Sequence, residues 1–305
     1  MLYLNINTSI LEMNKIDLHY QNLLSDILEN GEEKEDRTGT GTISVFGRQL
    51  RHDMSEGFPI LTTKKMAIKS IMTELKWFLK GRTDLRYLLQ NNCHIWTGDA
   101  YSVYERTHHW ELEDPEYDVK EFEQKILEDD DFSKLWGNLG FIYGKQWRDF
   151  NGVDQIKDLI YNIKNDPTSR RLMVNAWNVS DLIYMKLPPC HYGFQCYVNN
   201  GKLSLMWNQR SVDTFLGLPF NITSYATLLL LLCEETNLEP GELICNLGDV
   251  HIYKNHIEQC KEQVSRDPYE LPTIELSNIN LLEGEFDYKI IGYKSHERIK
   301  GELSN

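Results

Sequence analysis

The 305-residue sequence lacks an uninterrupted apolar run long enough to cross a bilayer. Its longest apolar run falls within residues 225–233 and ends at two glutamates. The N-terminus lacks a basic segment followed by an apolar run and a small-residue cleavage site, so we expect no secretory signal. These absences predict a cytoplasmic protein without a membrane partner.

Cysteine pairs at metal-binding or disulfide spacing are also missing. The six cysteines are widely scattered and none forms a C-x-x-C pair, so neither a zinc ribbon nor a disulfide framework is expected. Asp249, His251 and His256 are a conceivable metal set, but they lack a convincing set of further ligands. We therefore expect no metal cofactor.

Basic charge is scarce, because 32 Lys and Arg residues face 46 Asp and Glu residues and the net charge is −14. Much of the acidic excess falls in residues 99–133, which hold 13 acidic and 3 basic residues. This balance argues against DNA binding and gives no support for RNA binding. The rest of the chain is still compatible with a phosphate ligand, and residues 99–140 are interpreted as a solvated accessory insertion.

The apolar periodicity predicts one α+β domain over residues 1–305, without internal repeats or linkers. The predicted helices cover residues 15–30, 68–79, 153–163, 221–235 and 254–264. The predicted strands cover residues 42–51, 172–177, 192–198, 203–208, 249–253 and 286–293. Asn199-Asn200-Gly201 predicts a tight hairpin turn between two of these strands. The accessory insertion is predicted to be irregular, with one helix near residues 118–128.

A candidate nucleophile, Cys190, directly follows two prolines that make its approach rigid. The thiolate is the reactive form of cysteine, and a nearby cation or hydrogen-bond donor must lower its pKa. Pairing across the predicted hairpin turn would bring Arg210 back toward Cys190. A buried, inert thiol is the alternative interpretation.

Arginines at turns and strand ends predict a phosphate site. Arg170 and Arg171 are adjacent at a helix-breaking turn, Ser211 follows Arg210, and Arg37 lies in a glycine-rich loop. Arginine forks bind phosphate through two parallel hydrogen bonds. Each arginine taken alone would equally suit an exposed surface position.

Four other side chains suit ligand recognition or acid–base chemistry. The carboxamide of Asn221 offers the donor and acceptor that a uracil edge requires, although Asn221 would also serve as a helix N-cap. His251 and Tyr253 share a predicted strand face, either as donors to a ligand hydroxyl or as a core pair. Glu74 lies on the apolar face of a predicted helix, where burial would raise its pKa. An exposed position on that helix is the alternative for Glu74.

The most specific motif is the run Q-R-S-x-D-x-x-x-G-x-x-x-N from Gln209 to Asn221. Together with residues 36–47, 143–148, 188–191 and 248–256, this run resembles the thymidylate synthase family. The resemblance covers nearly the whole chain, and the order and spacing of so many rare-residue motifs argue against chance agreement.

This resemblance implies reductive methylation of dUMP to dTMP, with 5,10-methylenetetrahydrofolate as the one-carbon and hydride donor, through a covalent adduct of Cys190. The implied catalytic residues are Cys190, Glu74, Tyr143, Arg210, Asp213, Asn221 and His191. The implied dUMP contacts come from Arg37, Arg170, Arg171, Cys190, Gln209, Arg210, Ser211, Asp213, Asn221, His251 and Tyr253. The implied folate site is formed by Ile95, Trp96, Leu187, Asp213, Leu216, Gly217 and Phe220.

The resemblance also implies a homodimer in which a large mixed sheet, covered by helices, packs at the interface. Arg170 and Arg171 would then reach into the active site of the partner subunit. The chain departs from the family pattern at its polar C-terminal Asn305 and at Asp99, where members often carry a second tryptophan.

Three alternative functions are also compatible with the sequence. A dUMP hydroxymethylase of the same superfamily would let water capture the transferred methylene. A dCMP-directed relative is disfavoured, because those enzymes carry Asp where this chain has Asn221. A catalytically silent binding protein is the third alternative.

Overall fold

The structure of the protein, a computed structural model, describes residues 14–36, 39–111 and 117–303, without the side chains of residues 108–111. Its helices are α1 (Lys15–Asn30), α2 (Ile68–Leu79), α3 (Leu85–Gln90), α4 (Thr97–Glu111), α5 (Val119–Glu128), α6 (Asp130–Trp136), α7 (Tyr143–Arg148), α8 (Gln155–Asn165), α9 (Gly217–Thr236) and α10 (Ile257–Val264). Its strands are β1 (Glu32–Lys34), β2 (Thr42–Asp53), β3 (Met173–Asn175), β4 (His191–Asn199), β5 (Lys202–Asp213), β6 (Glu239–Tyr253), β7 (Thr273–Asn280) and β8 (Glu285–Ile291). The predicted α+β class is confirmed.

Six strands form one mixed sheet in the order β1-β2-β6-β5-β4-β3, and β7 and β8 form a separate hairpin. Strands β5 and β6 run parallel, and the other neighbouring pairs are antiparallel. A parallel pair needs a crossover connection, and α9 supplies it. Both central strands therefore end at the same edge of the sheet, with Asp213 and Tyr253 as their last residues.

The β4–β5 hairpin has the tight turn that the sequence predicts. Asn200 and Gly201 have φ angles of 50° and 75°, the left-handed values that a type I′ turn requires. The register that starts at this turn places His191 opposite Gln209. Because the turn fixes the register, it also fixes which residues of β5 lie beside Cys190.

Helix α9 is apolar nearly all round and lies in the core, as predicted. Its length and apolar composition would suffice for a membrane span, yet 72% of its most apolar window is buried inside the protein. Asn237 ends the helix with a φ of 55°, the left-handed conformation of a C-cap. The helix begins at Gly217, ahead of Asn221, so the interpretation of Asn221 as the N-cap is wrong.

A buried carboxylate fixes the segment that precedes α2. Asp17 of α1 is fully buried and accepts hydrogen bonds from the amides and hydroxyls of Thr62 and Thr63 over 2.8–3.3 Å. These donors offset part of the desolvation cost, although burial still raises the pKa of Asp17. The chain continues from this contact into α2, which carries Glu74.

The accessory region (residues 99–140) is helical in the part that the structure describes, so the prediction of irregular structure is wrong. It comprises most of α4 together with α5 and α6, and α5 confirms the one helix predicted there. Tyr104, Phe122 and Trp136 come from the three helices and pack together, with Tyr104 5.2 Å from Phe122 and 5.1 Å from Trp136 between ring centroids. The acidic residues between these aromatics obscure their helical spacing in the sequence.

Helices cover one face of the sheet, where Leu203, Leu205 and Trp207 of β5 are fully buried. Alternate residues of β5 point the other way, and Met206 lines an open concave surface of about 660 Å³ on that second face. Tyr197 on the same surface is 64% exposed. The packing of this face at a dimer interface stays a prediction.

Candidate active site

Cys190 and Arg210 lie side by side where β4 begins. The backbone amide of Arg210 donates to the carbonyl oxygen of Cys190 over 2.8 Å. The guanidinium donates to the carbonyl oxygens of Pro188 and Pro189, each over 3.0 Å, and lies 5.1 Å from the centroid of the Trp177 ring. The hairpin therefore brings a fixed positive charge to Cys190, as the sequence predicts.

The Cys190 thiol is half-buried, and its backbone amide donates to the Tyr143 hydroxyl over 2.7 Å. Some surface of the residue stays accessible, yet the atoms packed around the sulfur make desolvation the dominant effect. Burial raises the pKa of Cys190, Arg210 opposes this rise, and Asp99 and Asp213 add to it. Arg210 and the Tyr143 hydroxyl thus lower the pKa of the thiol, as a nearby cation and donor were expected to do, but burial outweighs them.

His191 is a buried, neutral imidazole that supports Tyr143. Its Nδ1 lies 2.8 Å from the Tyr225 hydroxyl, and its ring stacks on Tyr143 with 4.1 Å between centroids. Burial lowers the pKa of His191 to about 3. The ring therefore carries no charge at neutral pH and acts through its position and hydrogen bonding.

Glu74 is buried on α2, with 8% of its surface exposed, so the alternative of an exposed glutamate is wrong. The indole N–H of Trp96 donates to its carboxylate over 2.7 Å. Burial raises the pKa of Glu74 to about 7, and the hydrogen bond from Trp96 opposes that rise. The predicted raised pKa is confirmed, and the group suits proton transfer near neutral pH.

The shared edge of β5 and β6 collects a second set of polar side chains. Ser211 pairs with Asp249, and Asp213 pairs with His251. The rings of His251 and Tyr253 lie 5.2 Å apart, which confirms that the two residues share a face. His251 Nδ1 lies 3.3 Å from the Asp249 carboxylate, which can orient the imidazole.

Asp213 and Gln209 also hold the local backbone. The Asp213 carboxylate accepts from the amides of Phe215 and Leu216 over 3.1 and 3.0 Å, and so caps the turn that leads into α9. The Gln209 carboxamide accepts from Trp207 Nε1 and donates to the Ser211 carbonyl, both over 3.1 Å. These contacts fix the β5 end that carries Arg210 and Ser211.

The proposed folate wall consists of half-buried apolar side chains packed on the core. Their partly exposed surfaces suit a planar heterocycle such as a pterin. These side chains belong to Ile95, Leu187, Leu216 and Phe220. Trp96 is 6% exposed and acts mainly as the donor to Glu74, while Gly217 begins α9.

Two residues near the site, Lys64 and Tyr225, were not predicted from the sequence. Lys64 is nearly fully buried, donates to the Phe215 carbonyl and lies 3.9 Å from the centroid of the Phe215 ring. Burial lowers its pKa to about 8. Tyr225 is the hydrogen-bond partner of His191. The sequence carries no signal for the burial of a lysine, whereas Tyr225 falls inside the apolar run of α9.

Two of the predicted phosphate ligands, Arg170 and Arg171, do not lie beside Cys190 of their own chain. Arg37 lies outside the described residues. Arg170 and Arg171 are exposed beyond β3, toward the end of β4 remote from His191. Among the described residues no group of three metal-ligating side chains is found, and His256 instead donates to the Glu302 carbonyl over 2.7 Å.

Comparison with known proteins assigns the family. A family model described as thymidylate synthase matches residues 18–305. The thymidylate synthase of Mycoplasma mobile is 50% identical over 289 residues, which cover 93% of this chain and 99% of that protein. The enzyme of the Aster yellows witches'-broom phytoplasma is 50% identical over 288 residues with the same coverage. That of Listeria monocytogenes serotype 4a is 47% identical over 310 residues, again with 93% and 99% coverage. Because the family model matches nearly the whole chain and these relatives are 47–50% identical over 93% of it, the chain belongs to the thymidylate synthase family.

Proposed function

We propose that this protein is a thymidylate synthase that converts dUMP to dTMP with 5,10-methylenetetrahydrofolate and releases dihydrofolate. The observation that carries the proposal is the placement of the Cys190 thiol beside the anchored Arg210 and the Tyr143 hydroxyl, within a chain of this family. Residues 1–305 form its catalytic domain, with the accessory region inserted in it. It acts as a cytoplasmic enzyme without a metal ion.

Cys190 is the nucleophile. C5 of uracil is a poor nucleophile, and addition of the Cys190 sulfur at C6 converts the ring into an enolate that reacts at C5. The thiol must release its proton to water as this bond forms, since burial raises its pKa. The positive charge of Arg210 favours the thiolate at that moment.

The nucleotide is held at its phosphate, its sugar and its base. Arg210 and Ser211 bind the phosphate, together with Arg37 and with Arg170 and Arg171 of the partner subunit. His251 and Tyr253 bind the 3′-hydroxyl of the deoxyribose, while Gln209 and Asp213 complete the polar surroundings. Asn221 binds the uracil edge through its carboxamide.

Two further residues, Glu74 and Tyr143, carry out the proton transfers. Glu74 has a pKa of about 7 and so exchanges protons at neutral pH, through ordered water, at O4 of the base and at the cosubstrate. Tyr143 is a neutral phenol held between Cys190 and His191, and it assists removal of the C5 proton.

The reduced folate, when bound, supplies the one-carbon unit and the hydride. Ile95, Trp96, Leu187, Leu216 and Phe220 are the chain's apolar surfaces for it, and Asp213 and Gly217 border the pterin. These side chains also exclude water, which would otherwise capture the methylene on the base as a hydroxymethyl group.

The homodimer follows from the same proposal. The second face of the sheet is open and includes the exposed Tyr197, which suits burial against a second copy. Arg170 and Arg171 are exposed and remote from the Cys190 of their own chain, which suits a role in the partner's site.

A product assay tests the function. The protein is mixed with dUMP and methylenetetrahydrofolate, and dihydrofolate and dTMP are measured. Formation of both supports the proposal. Formation of tetrahydrofolate and a hydroxymethyl nucleotide would instead establish the hydroxymethylase.

A further inference from the structure

The accessory region touches the segment that carries one folate wall. On α5, the Glu123 carboxylate accepts from the Thr97 hydroxyl over 2.6 Å and lies 2.7 Å from His94 Nδ1. The Glu123 side chain is 19% exposed, and Thr97 is 5% exposed. The hydrogen bond from Thr97 is part-buried, and a charge-assisted hydrogen bond in such a place is stronger than one in open water, whereas the contact with His94 is exposed.

Glu123 thus holds both ends of a four-residue segment, His94 to Thr97. Ile95 and Trp96 lie between these two anchors, and Trp96 in turn donates to Glu74 over 2.7 Å. A shift of either anchor would therefore move a folate contact and the donor to the Glu74 carboxylate. Such displacements of positioned groups reduce catalysis strongly.

A second contact joins the accessory region to the segment that carries Leu187, another residue of the proposed folate site. The ammonium of Lys186 donates to the Trp136 carbonyl at the end of α6 over 2.6 Å, and its backbone amide donates to the Leu139 carbonyl over 3.1 Å. Leu187, the next residue, belongs to the proposed folate wall. Burial lowers the pKa of Lys186 to about 8, so the structure keeps this ammonium in place against a desolvation cost.

The two contacts belong to one packed unit. Tyr104 lies against both Phe122, the neighbour of Glu123 on α5, and Trp136, whose carbonyl receives Lys186. Aromatic packing of this kind resists relative movement of the helices. The accessory core therefore sets the distance between the two anchors.

We propose that the accessory region positions both walls of the folate site, with Glu123 as the anchor of the Ile95–Trp96 wall and Lys186 as the anchor of the Leu187 wall. The proposal rests on the function proposed above and deepens it. Glu123 and Lys186 are positioning residues, since each acts on the folate through a neighbouring residue.

Steady-state kinetics of the full-length enzyme test the proposal. Glu123→Ala removes both hydrogen bonds, and Lys186→Met removes the donor while it keeps the aliphatic stem. Each variant is expected to raise the KM for methylenetetrahydrofolate about tenfold, the value of one charge-assisted hydrogen bond, while the Kd for dUMP stays within about twofold. Glu123→Gln keeps an oxygen for Thr97 and is expected to restore part of the loss.

Two comparisons make the test specific. Glu128→Ala removes an exposed carboxylate from the same helix and should leave both constants unchanged. In the double variant Glu123→Ala/Lys186→Met, the rise in folate KM should be smaller than the product of the two single rises. Each single variant already disturbs the same folate site, so the two effects are not independent.

Several outcomes would overturn the proposal. An unchanged folate KM in both Glu123→Ala and Lys186→Met would do so, as would an equal loss of dUMP binding. If Glu123→Ala does not fold, the folate KM of Lys186→Met decides alone. Failure of the wild-type enzyme to form dihydrofolate would count against the proposed function instead.

Discussion

The indole N–H of Trp96 donates to a carboxylate oxygen of Glu74 over 2.7 Å, and so joins the proposed folate wall to the proposed acid–base group. Burial alone would favour the neutral carboxylic acid, whereas this donor favours the carboxylate. The balance leaves the pKa of Glu74 at about 7, where both forms are populated at neutral pH.

Replacement of Glu74 by Gln should lower kcat about 100-fold, because a positioned acid–base group is lost while an acceptor for Trp96 remains. The inflection of kcat near pH 7 should disappear with it. The pH profile of kcat for both proteins checks this expectation. A Glu74→Gln profile that keeps the inflection would assign that titration to another group.

Glu74 should also make stability depend on pH. Its pKa is raised from 4.5 to about 7 on folding, so the native state keeps a proton that the unfolded chain releases. The stability present below pH 4.5 is lost as the pH rises toward 7, by about 3 kcal/mol. In urea unfolding, the free energy of unfolding of Glu74→Gln should rise relative to that of the wild type as the pH increases over that range. A difference that does not change with pH would contradict the burial argument.

Replacement of Cys190 by Ala should abolish turnover, with a loss of about 10⁴-fold or more, because no nucleophile remains. Binding of dUMP should persist, since the phosphate and base contacts come from other residues. Calorimetric titration with dUMP and the dihydrofolate assay measure the two properties. Cys233→Ala, at a buried thiol on α9, is the matched control and should keep turnover.

Replacement of Arg210 by Gln should raise the pKa of the Cys190 thiol further, because the charge that opposes burial is removed. The rate of alkylation by iodoacetamide at neutral pH should fall, because a smaller fraction of the thiol is then ionised. Arg106→Gln, at an exposed position on α4, is expected to have no effect. Faster alkylation in Arg210→Gln would mean that the guanidinium shields the sulfur rather than activating it.

His191 should stay neutral well below the usual imidazole pKa, because burial lowers its pKa from 6.5 to about 3. Nitrogen NMR of the imidazole at about pH 5 should therefore show the neutral tautomer. The stability that this neutral ring supports is fully present above pH 6.5 and is lost as the pH falls toward 3. An imidazolium signal at pH 6 in folded protein would refute this assignment.

The sequence predicted those helices and turns that apolar spacing or turn residues determine locally. Helix α1 follows from apolar residues at helical spacing, and the β4–β5 hairpin follows from Asn200-Gly201, which adopts the left-handed φ angles of its turn. Strand β7 was missed, because its alternation of apolar and polar residues is short and ends at Ser277, where the register with β8 shifts.

The sequence predicted the site features that strand register determines, but not those that burial determines. Arg210 lies beside Cys190 because the hairpin turn fixes the pairing. The net rise in the pKa of Cys190 could not be predicted, since it depends on how closely other elements pack around the sulfur. The burial of Lys64 was missed for the same reason.

The parallel pairing of β5 and β6 makes the proposed sugar contacts of His251 and Tyr253 sensitive to chain length. His251 and Tyr253 lie beside the end of β5 because the length of α9 and of the first half of β6 sets the register between the two strands. Side chains alternate along a strand, so a one-residue insertion between Glu239 and Asp249 would rotate both to the opposite face. Relatives that tolerate length changes should therefore carry them in even steps here, or place them in the loops outside this strand.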